Sequence, residues 1–395
     1  MSVSTVTVPR SELRAWCALE GFPRIGFIGS DRLPGSLCSH PEIASLGAGV
    51  YLLAALSCYK REPEDLSTPG DPHGLIAPFA RRNYYREAVL RLRRIARRLG
   101  EATGLPRRAF RVFSNSRLPE KPLAVAAGLG SYGRNALVLA PGLGSLFVIA
   151  GMFIPREAGP PVADRPEGDR PEGDRPEGDR PEAGDAEADR PEADRTKVGA
   201  PEPNGGLGEI CGKCRACQEA CPVDALAEPG RLDEGRCLQA QAGRDRELPE
   251  DLAAAWGFRL YGCQVCQDVC PYNRGLRCET STEVGELGPS LSLRWVLERT
   301  PEELAGALRG TALGMAWISK RALQRNALLA LGHRATAGYA PDAELVALGD
   351  RYARAADPQL ARAAAWSAKR LRLSAPAVQD RRDTGGEGVD ARRSP

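Results

Sequence analysis

Nine of the twelve cysteines fall between Cys211 and Cys278, seven of them in two runs of short, regular spacing. The first run is Cys211-x2-Cys214-x2-Cys217-x3-Cys221-Pro222, and the second is Cys263-x2-Cys266-x3-Cys270-Pro271. Thiolates are soft ligands, and three of them on one short loop can grip three corners of an iron–sulfur cube. The proline after the last cysteine stops the loop and turns the chain away. The first run has the full spacing of a bacterial [4Fe–4S] site, whose fourth cysteine ligates the other cluster in two-cluster proteins. The second run lacks one ligand, and Cys237 is the natural candidate to supply it. The assignment then closes with Cys211, Cys214, Cys217 and Cys270 on one cube and Cys221, Cys237, Cys263 and Cys266 on the other, leaving Cys278 over. The competing chemistry is a pair of structural zinc sites, but zinc favours isolated C-x2-C pairs. The extra cysteine and the trailing Cys-Pro fit iron–sulfur better. Only three histidines exist (His40, His73 and His333), so a metal centre here is built from sulfur. Cys17, Cys38, Cys58 and Cys278 read as ordinary small residues.

Adjacent cubes pass single electrons over short hops, and an acceptor has to be sought elsewhere in the chain. There is room for one, since 395 residues with 42% hydrophobic content suffice for two or three domains. The net charge of only +3 argues against a globally basic nucleic-acid coat protein. No apolar run approaches the roughly 18 residues that a membrane-spanning helix needs, so no membrane partner is expected. The first residues lack a basic stretch followed by an apolar core, so no secretory signal is expected either. A cytoplasmic location with reduced thiols follows, and there a crowd of cysteines argues for metal rather than disulfides.

The pattern predicts an α+β multidomain chain. Residues 1–155 read as an α/β domain, with helices over 9–20 and 82–99 and apolar runs at 24–28, 49–56, 137–139 and 146–154 that suit strands in a covered sheet. Residues 156–206 hold the pentad D-R-P-E-G, repeated from Asp164 and decaying by Arg195, whose composition predicts a disordered insert with no chemistry. Residues 207–285 form the bacterial ferredoxin-like double-cluster domain. Residues 286–373 read as helical repeats, with helices over 319–331, 341–353 and 358–371. Residues 374–395 read as a disordered tail. Within the first domain, Gly128-Leu129-Gly130-Ser131-Tyr132-Gly133-Arg134-Asn135 is a glycine-rich turn. It is either a simple tight turn or a place where backbone approaches a large flat ligand. No acidic residue stands about 20 positions on, so it is not a dinucleotide fingerprint.

Taken in order, A-G-L-G-S-Y-G-R-N, C-G-K-C-R-A-C-Q-E-A-C-P, R-C-L and Y-G-C-Q-V-C-Q-D-V-C-P-Y-N, followed by helical repeats, resemble the epoxyqueuosine reductase family. The stretch I-A-P-F-A-R-R-N-Y-Y at Ile76–Tyr85 is also similar to that family's segment ahead of a long helix. The resemblance implies a cobalamin-binding N-terminal domain, with Gly128, Gly130, Tyr132, Gly133, Arg134 and Asn135 near the corrin. It further implies two [4Fe–4S] clusters that carry electrons from a low-potential donor such as flavodoxin or ferredoxin. The reaction would reduce epoxyqueuosine to queuosine in tRNA, with HEAT-like C-terminal repeats helping to hold the anticodon stem-loop. The D-x-H-x-x-G motif that supplies a lower-axial histidine to cobalamin elsewhere is incomplete here. It begins at Asp71-Pro72-His73, but Ile76 stands where its glycine is needed. The family's proposed proton donor, an aspartate shortly before the glycine turn, is also missing. Its place is closest to Ser114, and the nearest acid is Glu120. That departure keeps open a related reductase with another substrate, such as a dehalogenase, and a non-catalytic electron-transfer protein. From 318 to 372 ten Lys and Arg face four Asp and Glu, a basic excess that suits phosphate. Trp317 and Trp366 read as core residues.

Overall fold

The computed structural model describes residues 8–58, 65–68, 70–158, 209–274, 276, 286–339 and 342–374. The D-R-P-E-G insert, Cys278 and residues 375–395 lie outside the described residues.

Three of the four N-terminal apolar runs, 24–28, 49–56 and 146–154, enter one antiparallel sheet, joined by the unpredicted strand Arg111–Phe113, while 137–139 goes to a separate ribbon. The sheet's strands β1 (Arg24–Gly29), β2 (Gly49–Ser57), β4 (Arg111–Phe113) and β7 (Phe147–Pro155) lie in the order β1-β2-β7-β4. Strand β2 shows why its run is apolar without a break. Leu52, Ala54 and Leu56 enter one core, while Tyr51, Leu53 and Ala55 enter the core on the opposite face. Side chains of a strand alternate between faces, so a sheet covered on both sides needs apolar residues at every position.

The helices Arg10–Leu19 and Tyr84–Thr103 cover the first face, where Leu13, Leu92, Ile95 and Leu99 are fully buried. Each such side chain removed from water contributes about 2 kcal/mol. The second face is closed by Leu37, Ile43, Leu123 and Ala124 from three short helices, Gly35–Cys38, Pro41–Ala44 and Glu120–Ala126. The long helix starts two residues later than its pattern predicts, because Asn83 accepts the Arg86 N–H as its cap. It runs on until Gly104, whose φ of 73° ends it in the left-handed conformation.

A two-stranded ribbon, β5 (Ser131–Tyr132) and β6 (Val138–Leu139), begins within the glycine turn. The third sheet joins distant parts of the chain. Strand β3 (His73–Ile76) pairs in parallel with β8 (Arg259–Tyr261) and antiparallel with β9 (Ser290–Ser292). Residues 73–76, grouped by sequence with the first domain, therefore pack among the later elements. One continuous core holds Ile76, Leu238, Trp256 and Leu260 together with Leu293, Leu328 and Leu360. The cysteine region and the C-terminal helices consequently share their interior.

The C-terminal helices are Lys320–Thr336, Ala343–Ala353 and Pro358–Ser374. Ser319 and Asp342 cap the first two by accepting the Ala322 and Leu345 N–H groups. The helix Lys320–Thr336 is buried on nearly every face and forms the centre of this region. Its Arg325, 1% exposed, donates to the carbonyls of Gln241 and Arg244 at 2.8 and 2.9 Å and so ties the helix to the cysteine region. Among the described residues no helix is long and apolar enough to cross a membrane.

Candidate electron-transfer centre and adjoining cavity

The two cysteine runs fold as copies of one loop. Each places its middle cysteine on a single helical turn, Ala216–Glu219 in the first and Val265–Asp268 in the second, and these two turns pack together. The residues before the turns, Arg215 and Gln264, have φ/ψ of −123/7° and −129/13°. Those after them, Ala220 and Val269, have −84/−10° and −83/−8°. The shared x2 and x3 spacings dictate this match, and each loop ends at its Cys-Pro. Cys237 comes from neither loop. It stands at the start of the helix Leu238–Gln241, where the Gln239 and Ala240 amides point at its sulfur.

The thiols influence one another in two sets. Burial pushes the Cys217 thiol up to about 11, and Cys211, Cys270 and Cys214 add to the rise, which puts all three beside it. Burial likewise pushes Cys266 up strongly, with Cys263, Cys237, Cys217 and Cys221 contributing. Cys237 in turn senses Cys263 and Cys221. Cys217 and Cys266 are thus the near points of the two groups. Backbone N–H groups face the sulfurs: Arg134 N–H donates to Cys211 Sγ at 3.4 Å and Ala225 N–H to Cys221 Sγ at 3.3 Å. Such donors stabilise a thiolate and tune a cluster held by it. All eleven described cysteines are free of disulfides. No three His, Cys, Asp or Glu side chains among the described residues are gathered to hold a single metal ion. Eight soft sulfurs on two packed loops and the Leu238–Gln241 helix, met by N–H donors, suit two polynuclear clusters. Cys17 and Cys58 are buried apart from the two cysteine loops, their thiols pushed up to about 12 by burial; Cys17 sits in the core, while Cys58 borders the adjoining cavity.

A cavity of about 440 Å³ lies against the second group. Cys221, Cys237, Cys263 and Cys266 form one wall, and the sheet domain forms the other through Asn115, Ser116, Glu120, Asn135 and Phe147. Its size falls in the range of a ligand site, and most of its lining is apolar. None of the three histidines lines it. His73 instead meets Ser290 Oγ through Nδ1 at 3.1 Å and Asp71 Oδ2 through Nε2 at 3.2 Å. The lining therefore suits a broad apolar cofactor bound without an imidazole ligand.

The loop after β4 carries the polar side of this wall. Asn115 adopts φ 50°, an uncommon conformation for a residue with a side chain. The Glu120 carboxylate holds the loop there, accepting the Asn115 N–H at 2.9 Å and the Ser116 N–H at 2.7 Å. Burial raises the Glu120 pKa above the ordinary carboxylate value, and those two N–H bonds only partly oppose it. Ser114, whose hydroxyl donates to the Ile149 carbonyl at 2.7 Å, is tied to the sheet and does not line the cavity.

The glycine turn reaches the cavity through one residue. Of its six singled-out residues only Asn135 lines the cavity. A Cβ on Gly130 would come within 2.2 Å of the Leu139 carbonyl oxygen, and one on Gly133 within 2.9 Å of Leu139 Cδ1. Gly130 and Gly133 make room for the β5–β6 ribbon, and Gly128 faces open space at φ 74°. Tyr132 is half-buried, its phenol pushed up to about 12 by burial. Arg134 turns toward the first cysteine loop and donates to the Gly212 carbonyl at 2.8 Å. The turn is thus a support for the first thiol group.

Sequence reasoning missed Tyr85, Lys121 and Gln239 in the wall, although Phe79 and Tyr85 lie in the Ile76–Tyr85 stretch that carried part of the resemblance. Two further expectations change. Trp317 is 56% exposed rather than core, whereas Trp366 packs partly against the core under the Arg370 guanidinium. The basic excess of the C-terminal region thins, because Arg325 and Arg334 are buried and Arg321 and Arg362 pair with Asp245 and Glu247.

The model of the 4Fe-4S double cluster binding domain matches residues 210–273. The epoxyqueuosine reductase of Bacillus subtilis (strain 168) is 35% identical over 147 residues, which is 36% of this chain and 36% of that protein. The chain spans roughly a third to a half of the length of the curated relatives it matches. The fold is similar to that of epoxyqueuosine reductase from Streptococcus thermophilus, with a TM-score of 0.67 and 20% identity over 93% of this chain and 91% of that one. It is also similar to an epoxyqueuosine reductase crystallised with an epoxyqueuosine-modified tRNA-Tyr stem loop, with a TM-score of 0.65 and 22% identity over 92% and 90%. Its cysteine region matches the 4Fe-4S double cluster binding domain, and across nine-tenths of its length its fold is similar to that of the epoxyqueuosine reductases.

Proposed function

We propose that this protein is a cobalamin-dependent oxidoreductase that reduces epoxyqueuosine to queuosine in tRNA. The observation that carries the proposal is the single cavity walled by four thiols on one side and by the Glu120-clamped loop on the other. A pure electron carrier has no use for such a cavity. Cys211, Cys214, Cys217 and Cys270 hold the outer [4Fe–4S] cluster, and Cys221, Cys237, Cys263 and Cys266 hold the cluster that faces the cavity. When bound, these clusters would relay single electrons from a low-potential donor, a flavodoxin or ferredoxin, and Cys217 and Cys266, on the two turns that pack together, would mark the crossing between them. Cobalamin, when bound in the cavity, supplies the low-valent cobalt that this reduction requires.

The chain's own residues bind, orient and protonate. The apolar wall formed by Phe147, Val148, Ile149 and Val265 excludes water, and Asn135 and Gln267 offer polar edges. Two electrons and two protons convert the epoxide to an alkene and water. The Glu120 carboxyl, whose pKa burial raises, gives one proton to the departing oxygen, and solvent supplies the other. Glu120 thereby takes the part of the aspartate that is absent near Ser114. The C-terminal helices, stacked as HEAT-like repeats, hold the anticodon stem-loop of the tRNA. The setting is the reducing cytoplasm.

The test is anaerobic purification of the full chain, supply of cobalamin, and turnover of an epoxyqueuosine-containing stem-loop with a reduced donor. Queuosine should form in the corrinoid-loaded protein. A bound corrinoid with no product would favour a reductase acting on another substrate. Cluster absorbance with no corrinoid uptake would leave only an electron carrier.

A further inference from the structure

A second cavity, of about 340 Å³, adjoins the first. Phe79, Tyr85, Asn115 and Gln239 line both, and so form a neck between them with two aromatic rings and two amides. The outer wall is made by Met315, Trp317 and Ile318, with Arg244 beside them. Trp317 is the one exposed tryptophan of the five, at 56%.

The turn that presents this indole is held firmly. Ile318 N–H donates to the Met315 carbonyl at 3.1 Å, and Ser319 N–H donates to the Gly243 carbonyl at 3.0 Å. Lys320 Nζ donates to the Ile318 carbonyl at 2.7 Å, and Ile318 itself is only 3% exposed. The backbone is therefore fixed on both sides of an outward-facing ring. A scattered exposed apolar residue needs no explanation. A ring on a braced turn, in the wall of a cavity that opens into the reaction site, forms a stacking platform. Unpaired bases bind such platforms through their π-faces. The amide of Asn115 carries a donor and an acceptor side by side, the pattern that pairs with the edge of a base.

Resting on the functional reading above, we propose that this outer cavity is a nucleobase site. Trp317 stacks on an unpaired base of the tRNA loop next to the modified nucleoside. Asn115, at the neck, meets the edge of the nucleoside that passes into the inner cavity. Nothing in this role requires Trp317 to touch the reacting atoms, so it is a binding residue rather than a catalytic one.

The experiment uses the full chain with its clusters and cobalamin, titrated with an epoxyqueuosine-containing anticodon stem-loop. Trp317→Ala should weaken the stem-loop Kd and raise its KM roughly tenfold, while kcat and iron per chain hold. Trp317→Phe should recover most of the affinity. Binding should quench tryptophan emission in the wild type, and Trp317→Phe should lose most of that quenching. Wild-type turnover with an unchanged Kd and KM in Trp317→Ala overturns the stacking role alone. A wild type that neither binds nor converts the stem-loop overturns the functional reading, and the stacking role with it.

Discussion

Glu120 shows how one side chain can hold a loop and be placed for proton transfer at once. Its carboxylate caps the Asn115 and Ser116 amides, and the burial that makes this possible also raises its pKa. Glu120→Gln keeps an acceptor for the loop but removes the exchangeable proton. Turnover should fall by about 100-fold or more, with iron content unchanged. The sign of the pH effect follows from the raised pKa. The protonated form is the donor, so the wild-type rate should decline as pH rises through that value, and the variant should lack this limb. Single-turnover rates across pH check this, and a variant within twofold of the wild type would sink the assignment. The ligand set is tested as directly. Cys237→Ala removes one corner of the inner cube and should leave about half the iron of a chain built for about eight. Iron and sulfide analysis reads this, and full retention would pass the corner to Cys278. The proposed cysteine roles rest on local spacing, which is legible in the sequence. That of Glu120 was legible only as the nearest acid, since its reach back over five residues depends on the conformation of the loop.

At the scale of elements, what matters is how the second cysteine loop meets the sheet domain. Asn273, 8% exposed, accepts the Ser145 N–H at 2.8 Å and donates to the Gln267 carbonyl at 2.7 Å, while Gln267 donates to the Ser145 carbonyl at 2.8 Å. Gly144 permits that seam. It has φ 56°, and a Cβ there would come within 1.9 Å of Asn273 Oδ1. Gly144→Ala should break the seam and cost about 1–3 kcal/mol, the loss expected for orphaned buried polar groups. Denaturant unfolding followed by cluster absorbance should show an earlier midpoint, and an unchanged midpoint would mean the seam carries no load. Helix periodicity and caps made the long helices readable to within a few residues. The pairing of β3 with β8 and β9 was not readable, since four-residue strands carry no record of their partners.

Across the whole molecule, the chain is interwoven rather than divided. β3 leaves the first region to join a sheet with strands from far along the sequence, and a single core runs from Ile76 through Trp256 to Leu360. Arg325, deep in that core, satisfies carbonyls of the cysteine region, and burial pulls its pKa down to about 10. A charge counted from sequence as available to phosphate is thereby spent inside. The same difference in scale separates what the two descriptions decide. Thiol spacing, apolar runs and the proline-rich pentads act over a few residues, so the linear chain alone determined the cluster loops, the covered sheet and the helical C-terminal region. The cavity draws on residues from Cys58 to Gln267, and Trp317 stands out only once the turn that bears it is packed. Burial, the raised carboxyl of Glu120 and the neck between the cavities come from neighbours far apart in sequence, so tertiary packing alone decided them.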